Sequence, residues 1–265
     1  MDLNWIHFII LITSGLLVGF INTLAGGGTI ISLSVFMLFG LPPNVANGTN
    51  RIAVLLQNTT AVINFSKKKL IEWPKAIRLA IPVIGGSVAG AILANLISNS
   101  YFHYFFGAVI LFSGVMLLIQ PGRWLEEKKD LIGKPLRAWH YILFFLIGIY
   151  GGFIHIAVGY MILTALVLGT GNELVKANAM KNFLVLSYIP FTILIFGLQG
   201  NIDWELGLIH SIGNIIGAQI ASSFAIRKGG RLIRYMMLLL IIVVLFQLFG
   251  IIDAGVVSQW LQTAK

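Results

Sequence analysis

Ten apolar segments follow one another along this chain with almost no soluble sequence between them. They run over 5–25, 29–40, 44–66, 73–98 and 101–119, then 138–157, 159–169, 173–197, 204–226 and 231–251. The longest hydrophilic stretch, Gln120 to Arg137, is too short to fold alone. Hydrophobic residues make up 58% of the chain and charged residues 10%, against about 25% charged in an ordinary soluble domain. The apolar runs are continuous rather than alternating, which selects helices over a barrel. The expected fold is an all-α integral membrane protein. At about 1.5 Å rise per residue, the short segments 29–40 and 159–169 fall well short of a bilayer core and read as broken helices. Such backbone is tolerated at membrane depth only where protein or a wet cavity covers it.

The sequence repeats itself. Ile71-Glu72-Trp73 returns as Ile202-Asp203-Trp204, Gly28 as Gly159, Gly86 as Gly217, and His103-Tyr104 as Arg234-Tyr235, each 131 residues on. This divides the chain into an N-terminal transmembrane repeat (1–119), a cytoplasmic linker (120–137) and a C-terminal transmembrane repeat (138–265), with about five segments in each repeat.

Charge gives orientation. Eighteen basic residues against nine acidic ones leave a net charge of +9. In this context the excess marks cytoplasmic loops and does not indicate nucleic acid. Lys67, Lys68, Lys69, Lys75 and Arg78 flank one turn, Arg123, Lys128, Lys129, Lys134 and Arg137 fill the linker, and Arg227, Lys228, Arg231 and Arg234 flank a third region. The turns at 98–102 and 197–205 carry no Lys or Arg. Regions 67–78, 120–137 and 226–234 are therefore expected inside, and the bare turns outside. The same turn of the repeat then faces opposite sides in the two halves. Five passes per half, with both termini outside, satisfy this. Inverted repeats of this kind place a binding site near the midplane.

Two cations lie within the apolar stretches at matching places in the halves, Arg51 and Lys181, 130 residues apart. A charge inside a membrane helix is costly and points to a site; side chains that snorkel to the interface are the competing reading. Around Arg51 stand Asn47, Thr49 and Asn50, and around Lys181 stand Asn178 and Asn182. A guanidinium fork and neutral amide or hydroxyl donors suit an oxyanion. Gly26-Gly27-Gly28 opens the segment at 29–40, where helix N-terminal amides can hold an anion; a tight turn or close helix packing is the competing reading. The second half has Ala157-Val158-Gly159 there instead. His155 and Glu173 are candidates for coupling a proton. A satisfied core histidine, and an ion-pair partner for Lys176 or Lys181, are their plainer readings; His210 has the same plain reading. Four G-x-x-x-G pairs (Gly15/Gly19, Gly86/Gly90, Gly148/Gly152, Gly213/Gly217) read as close helix packing. There are no cysteines, and no nucleotide-binding, zinc-protease or serine-hydrolase motif stands in the chain, so neither an enzyme nor a cofactor is expected.

Gly26-Gly27-Gly28, Gly40-Leu41-Pro42-Pro43 and Ala46-Asn47-Gly48-Thr49-Asn50-Arg51 together resemble the first-repeat signature of the TauE/SafE sulfite exporter family. Glu173, Ala177 and Lys181 resemble its weaker second repeat. The resemblance implies a multi-pass permease of the bacterial inner (plasma) membrane. Its substrate would be a small anion such as sulfite, a sulfonate or a related organosulfur compound. Partners would be that anion and the lipid bilayer, with H+ or Na+ as an open choice of coupling ion and a homo-oligomer an open choice of assembly. A passive anion channel and a non-transporting accessory subunit are the alternatives.

Overall fold

The computed structural model describes residues 3–97, 131 and 134–229. The fifth segment of each half (101–119 and 231–251), the turn at 98–102, most of the linker and the pair His103-Tyr104/Arg234-Tyr235 lie outside the described residues. Within them the chain is all helical, with eight helices and no strand: α1 (Trp5–Leu24), α2 (Thr29–Leu38), α3 (Pro43–Lys67), α4 (Trp73–Leu96), α5 (Ala138–Phe153), α6 (Val158–Thr170), α7 (Leu174–Leu198) and α8 (Trp204–Lys228).

Local sequence sets the ends. Asn4 and His7 form a reciprocal capping box at α1, and the Asp203 side chain accepts the Leu206 N–H at α8. Proline stands in the first turn of α3 and α4, where its missing N–H is harmless. Lys67 ends α3, and Arg227 and Lys228 end α8, beside the negative pole of each helix. Most segment boundaries agree with the sequence reading to within two residues. The exception is α5, which stops at Phe153 instead of running to 157. Residues Ile154–Ala157 leave the helix, and Ala157, the N-cap of α6, sits at φ 55°, a left-handed conformation that costs an L-residue about 1–2 kcal/mol.

Four helices, α1, α4, α7 and α8, are long and apolar enough to cross a membrane. They carry most of the exposed large apolar side chains, among them Leu17, Ile81, Leu194 and Ile212. No side chain of that class on α6 is exposed, and on α3 only Ile63 is. The polar helix α3 and the short helix α6 are thus walled in by the apolar ones, the arrangement that irregular or polar backbone needs in lipid.

The backbone repeats more strictly than the sequence does. Helices α3 and α7 start and end 131 residues apart, and α4 and α8 start 131 apart. The left-handed residues pair at the same spacing: Gly26 with Ala157, Gly40 with Gly171, Lys69 with Gly200. This register sets Asn47 opposite Asn178, Asn50 opposite Lys181 and Arg51 opposite Asn182. The two cations are therefore one position out of step, as their 130-residue separation foreshadows.

Packing is reciprocal as well. Among the described residues the most extensive helix pairings are α1 with α8 and α4 with α5, so each half lays its fourth helix on the other half's first. The G-x-x-x-G pairs make these contacts. A Cβ at Gly86 or Gly90 would strike Phe145 O or Ile149 O of α5, and at Gly213 or Gly217 Ile12 O or Leu16 O of α1. Their partners Gly148, Gly152, Gly15 and Gly19 are equally obstructed by backbone.

The left-handed turn at Ala157 yields a prediction. Ala157→Gly is expected to leave the thermal midpoint unchanged or raise it, and Ala157→Val to lower stability by about 1–2 kcal/mol, both read by thermal unfolding in detergent.

Candidate functional site

Helices α1 and α5 both end inside the protein, each followed by a break and then a short helix. A helix end leaves its last carbonyls without intrahelical partners and carries a partial negative charge. Buried carbonyls of this kind must be answered, and the cations answer them. Arg51, fully buried, donates from Nη2 to Gly152 O (2.6 Å) and from Nη1 to Gly151 O (3.3 Å). Asn47 Nδ2 donates to Phe153 O at 2.9 Å. Lys181, also buried, donates from Nζ to Asn22 O (2.8 Å) and Thr23 O (3.0 Å), and Asn182 Nδ2 to Thr23 O at 3.3 Å. So α3 of the first half holds the end of α5 in the second, and α7 of the second half holds the end of α1 in the first. The Arg51 guanidinium also lies 4.4 Å from the centre of the Phe196 ring.

The two breaks meet. A Cβ at Gly26 would lie 2.5 Å from Gly159 Cα, and one at Gly159 would lie 2.8 Å from Gly26 Cα and 3.3 Å from Lys181 Cδ. His155 lies in the second break. Its Nδ1 is 2.7 Å from the Tyr188 hydroxyl. Arg51, Lys181, His155 and the Gly26–Gly159 contact therefore occupy one layer of the bundle. Among the described residues no Asp or Glu is buried, so this layer is positively charged with only carbonyl dipoles to offset it. A net charge of this sign attracts anions.

The other candidates fall as follows. Asn50 and Asn178 are fully buried, and neither amide atom of either has a hydrogen-bond partner among the described residues. Thr49 Oγ1 accepts the Asp203 N–H at 2.9 Å and so fixes the start of α8. The Gly28 N–H donates to Asn22 Oδ1 at 2.6 Å, so this amide is already engaged inside the glycine loop. Gly26 has φ 86° and serves the turn and the close approach; Gly27 is buried between it and Gly28. Glu173 is exposed, 3.7 Å from Lys176, in a shallow cleft of about 50 Å³ that Lys75 and Asn172 also line. It does not reach Lys181. His210 is bound by Ser32 Oγ (3.0 Å) and Leu11 O (2.9 Å), as a core histidine should be. No group of His, Cys, Asp and Glu that could hold a metal occurs among the described residues.

Sequence reasoning did not find Asn22, which braces the glycine loop, nor Phe196. The asparagine stands six residues before Gly28, a spacing with no periodic signature. Phe196 is one of eighteen phenylalanines in the chain, with nothing to single it out.

A family model described as Sulfite exporter TauE/SafE matches residues 11–248. The chain is 28% identical over 245 residues to a "Probable membrane transporter protein" of Haemophilus influenzae, covering 91% of this chain and 93% of that one. It is 27% identical to "Probable membrane transporter protein YfcA" of Escherichia coli K12, covering 84% and 82%. A third relative, "Probable membrane transporter protein ORF9" of a Sinorhizobium species, is 24% identical over 94% and 95%. No solved structure matches the chain.

Proposed function

Because the chain belongs to the Sulfite exporter TauE/SafE family and is a multi-pass membrane transporter, we propose that it carries a small oxyanion across the inner membrane by alternating access. The favoured substrates are sulfite, a sulfonate or a related organosulfur anion. The observation that carries this reading is the reciprocal placement of Arg51 and Lys181, each holding a helix end of the opposite half beside the meeting breaks. The halves 1–119 and 138–265 are read as inverted repeats of five segments, joined by the linker 120–137. Rocking one against the other would expose the positive layer to each side in turn.

Polar ties between the halves support such gating. Lys75 Nζ donates to Asn172 Oδ1 (2.6 Å), and Asn172 Nδ2 to Glu72 Oε1 (2.8 Å), next to the end of α3. Asn44 Nδ2 donates to Asn201 Oδ1 (3.1 Å), and Asn201 Nδ2 to Asn95 Oδ1 (2.6 Å), next to the start of α3. The ties thus stand at opposite ends of a 25-residue helix.

Export of an anion is favoured by a membrane potential negative inside, by about 2.3 kcal/mol per charge per 100 mV, so a uniporter suffices. His155 is the proton-coupling candidate if coupling exists. In proteoliposomes the expected result is saturable uptake of labelled sulfite or sulfonate, accelerated by the same anion trapped inside. Single-channel currents without such counterflow would identify a passive channel instead. One observation favours a second reading: the cations' terminal nitrogens are bound to carbonyls, which suits a purely structural role in a non-transporting subunit. That reading predicts no carrier-dependent uptake.

A further inference from the structure

A cavity of about 300 Å³ opens where α5 begins and α6 ends. Lys134, Arg137, Trp139, His140, Gly169 and Thr170 are among its lining residues. Gly169 stands ten residues beyond Gly159, about 15 Å along α6 from the meeting of the breaks. The end of α6 forms one wall, and its carbonyls are already answered. The Arg137 N–H donates to His140 Nδ1 (2.9 Å), which leaves the proton of the neutral ring on Nε2, and Nε2 donates to Gly169 O (2.9 Å). Lys75 Nζ donates to Thr170 O (3.3 Å) from α4. These bonds weaken the negative pole that would repel an anion there. The Trp139 ring stacks on His140, centroids 3.8 Å apart, and lies over Gly169, where a Cβ would be 3.0 Å from Trp139 Cη2. Among the described residues no acid lines this cavity, and its cations Lys134 and Arg137 are exposed and make no ion pair. The nearby acids Glu72 and Glu173 belong to the separate small cleft, beside Lys75 (3.9 Å) and Lys176 (3.7 Å) respectively. The cavity is therefore left with net positive charge.

Tryptophans fix its depth. Trp73 and Trp139 open α4 and α5, which run parallel, and Trp5 and Trp204 open α1 and α8, which also run parallel. The Asn44–Asn201–Asn95 tie sets the start of α8 beside the end of α4, so the two pairs mark opposite ends of the bundle. All four rings are exposed, as tryptophan is at the headgroup level of a bilayer. The cavity thus lies at headgroup depth, at the end that carries Lys67, Lys68 and Lys69 and is expected to be cytoplasmic. Deeper along the same face of α5, Ile142, Phe145 and Leu146 are exposed among the described residues, one and two turns from Trp139. A soluble anion would use the cations and leave this apolar lane idle; a lipid with an anionic head uses both. We propose that the cavity binds an anionic phospholipid of the cytoplasmic leaflet, its phosphodiester between Lys134 and Arg137 beside the Trp139 ring, its acyl chains along Ile142, Phe145 and Leu146. The site is separate from the layer of Arg51 and Lys181 and needs only the membrane placement of the bundle.

The test titrates full-length protein in a nonionic detergent with short-chain phosphatidylglycerol, phosphatidylcholine or inorganic phosphate. The thermal midpoint reports binding, and native mass spectrometry counts the lipid retained. Phosphatidylglycerol is expected to half-saturate at a concentration about tenfold or more below phosphatidylcholine, because each cation near a charged headgroup contributes about fivefold in affinity. Lys134→Gln is expected to weaken phosphatidylglycerol binding about fivefold, and Lys134→Gln with Arg137→Gln about tenfold or more. Lys68→Gln with Lys69→Gln, at the same end but outside the cavity, should leave it within about twofold, since charges beyond a screening length count little. If the double variant does not fold, Lys134→Gln alone decides. Equal affinity for the two lipids would overturn the proposal, as would an equal loss in the Lys68/Lys69 variant, which would reduce the effect to general surface charge. Inorganic phosphate that shifts the midpoint as strongly as the lipid at equal concentration would make this a site for a soluble anion and overturn the lipid assignment.

Discussion

Exchanging Arg51 for glutamine is expected to reduce anion flux at least a hundredfold and to lower stability by about 2–4 kcal/mol. Arginine at this point answers two buried carbonyls at the end of α5 with a charged fork, under the face of Phe196. Charge-assisted bonds of this type contribute about 1.5–3 kcal/mol each before desolvation is counted against them. Glutamine is shorter, uncharged and able to reach one carbonyl at best. It leaves the other bare and removes one of the two charges of the layer. Arg51→Lys keeps the charge but loses the fork, so it is expected to retain more stability than flux. Thermal unfolding in detergent and reconstituted flux read the two effects separately. Flux within twofold of the parent would remove Arg51 from the transport site and leave it a structural clasp. Lys181→Met should behave as Arg51→Gln does at the opposite helix end, because Lys181 holds Asn22 O and Thr23 O.

The positions of the helices were readable from the sequence because lipid imposes a simple rule. Apolar runs of sufficient length become helices, and punctuation by Gly40-Leu41-Pro42-Pro43 or Gly26-Gly27-Gly28 breaks them. The repeat was readable for the same reason: turn residues and glycines recur where the backbone needs them. The end of α5 was not readable, since Ile154-His155-Ile156-Ala157 is as apolar as any helix and contains neither glycine nor proline. That break is held by Asn47 on Phe153 O and by the His155–Tyr188 contact, both from distant helices.

Site residues divide along the same line. Burial of Arg51, Lys181, Asn47, Asn50, Asn178 and Asn182 follows from a polar stripe that lipid cannot accept. What each one binds does not follow. Periodicity can set Asn47 and Arg51 on one face of α3, but the carbonyls they meet lie about a hundred residues away, in a half oriented by tertiary packing. Glu173 shows the limit. Its place in the sequence, eight residues before Lys181, suggested a partner. A start at Leu174 instead puts it at the N-cap position of α7, near the surface and paired with Lys176.

At the contact between the two breaks, Gly26→Ala is expected to cost about 3 kcal/mol or more and to reduce flux at least tenfold. Two penalties combine there. Gly26 has φ 86°, where an L-residue is strained by about 1–2 kcal/mol. Its new Cβ would also meet Gly159 Cα at 2.5 Å, Gly159 C at 2.6 Å and Tyr160 N at 2.7 Å. These are backbone atoms of the first turn of α6, which cannot step aside as a flexible side chain can, and overpacking of this kind adds about 1–3 kcal/mol. Gly40 separates the two contributions. It has the same φ of 86° but open space around its Cβ position, so Gly40→Ala carries the backbone strain alone. The difference between the two variants in thermal or denaturant unfolding therefore measures the contact between the halves. If Gly26→Ala proves no worse than Gly40→Ala in stability and in flux, the breaks do not bear on each other, and the meeting of the halves at this layer loses its support. If stability falls alike in both but flux falls only for Gly26→Ala, the contact matters to movement rather than to folding. That is what the proposed rocking of one half against the other requires.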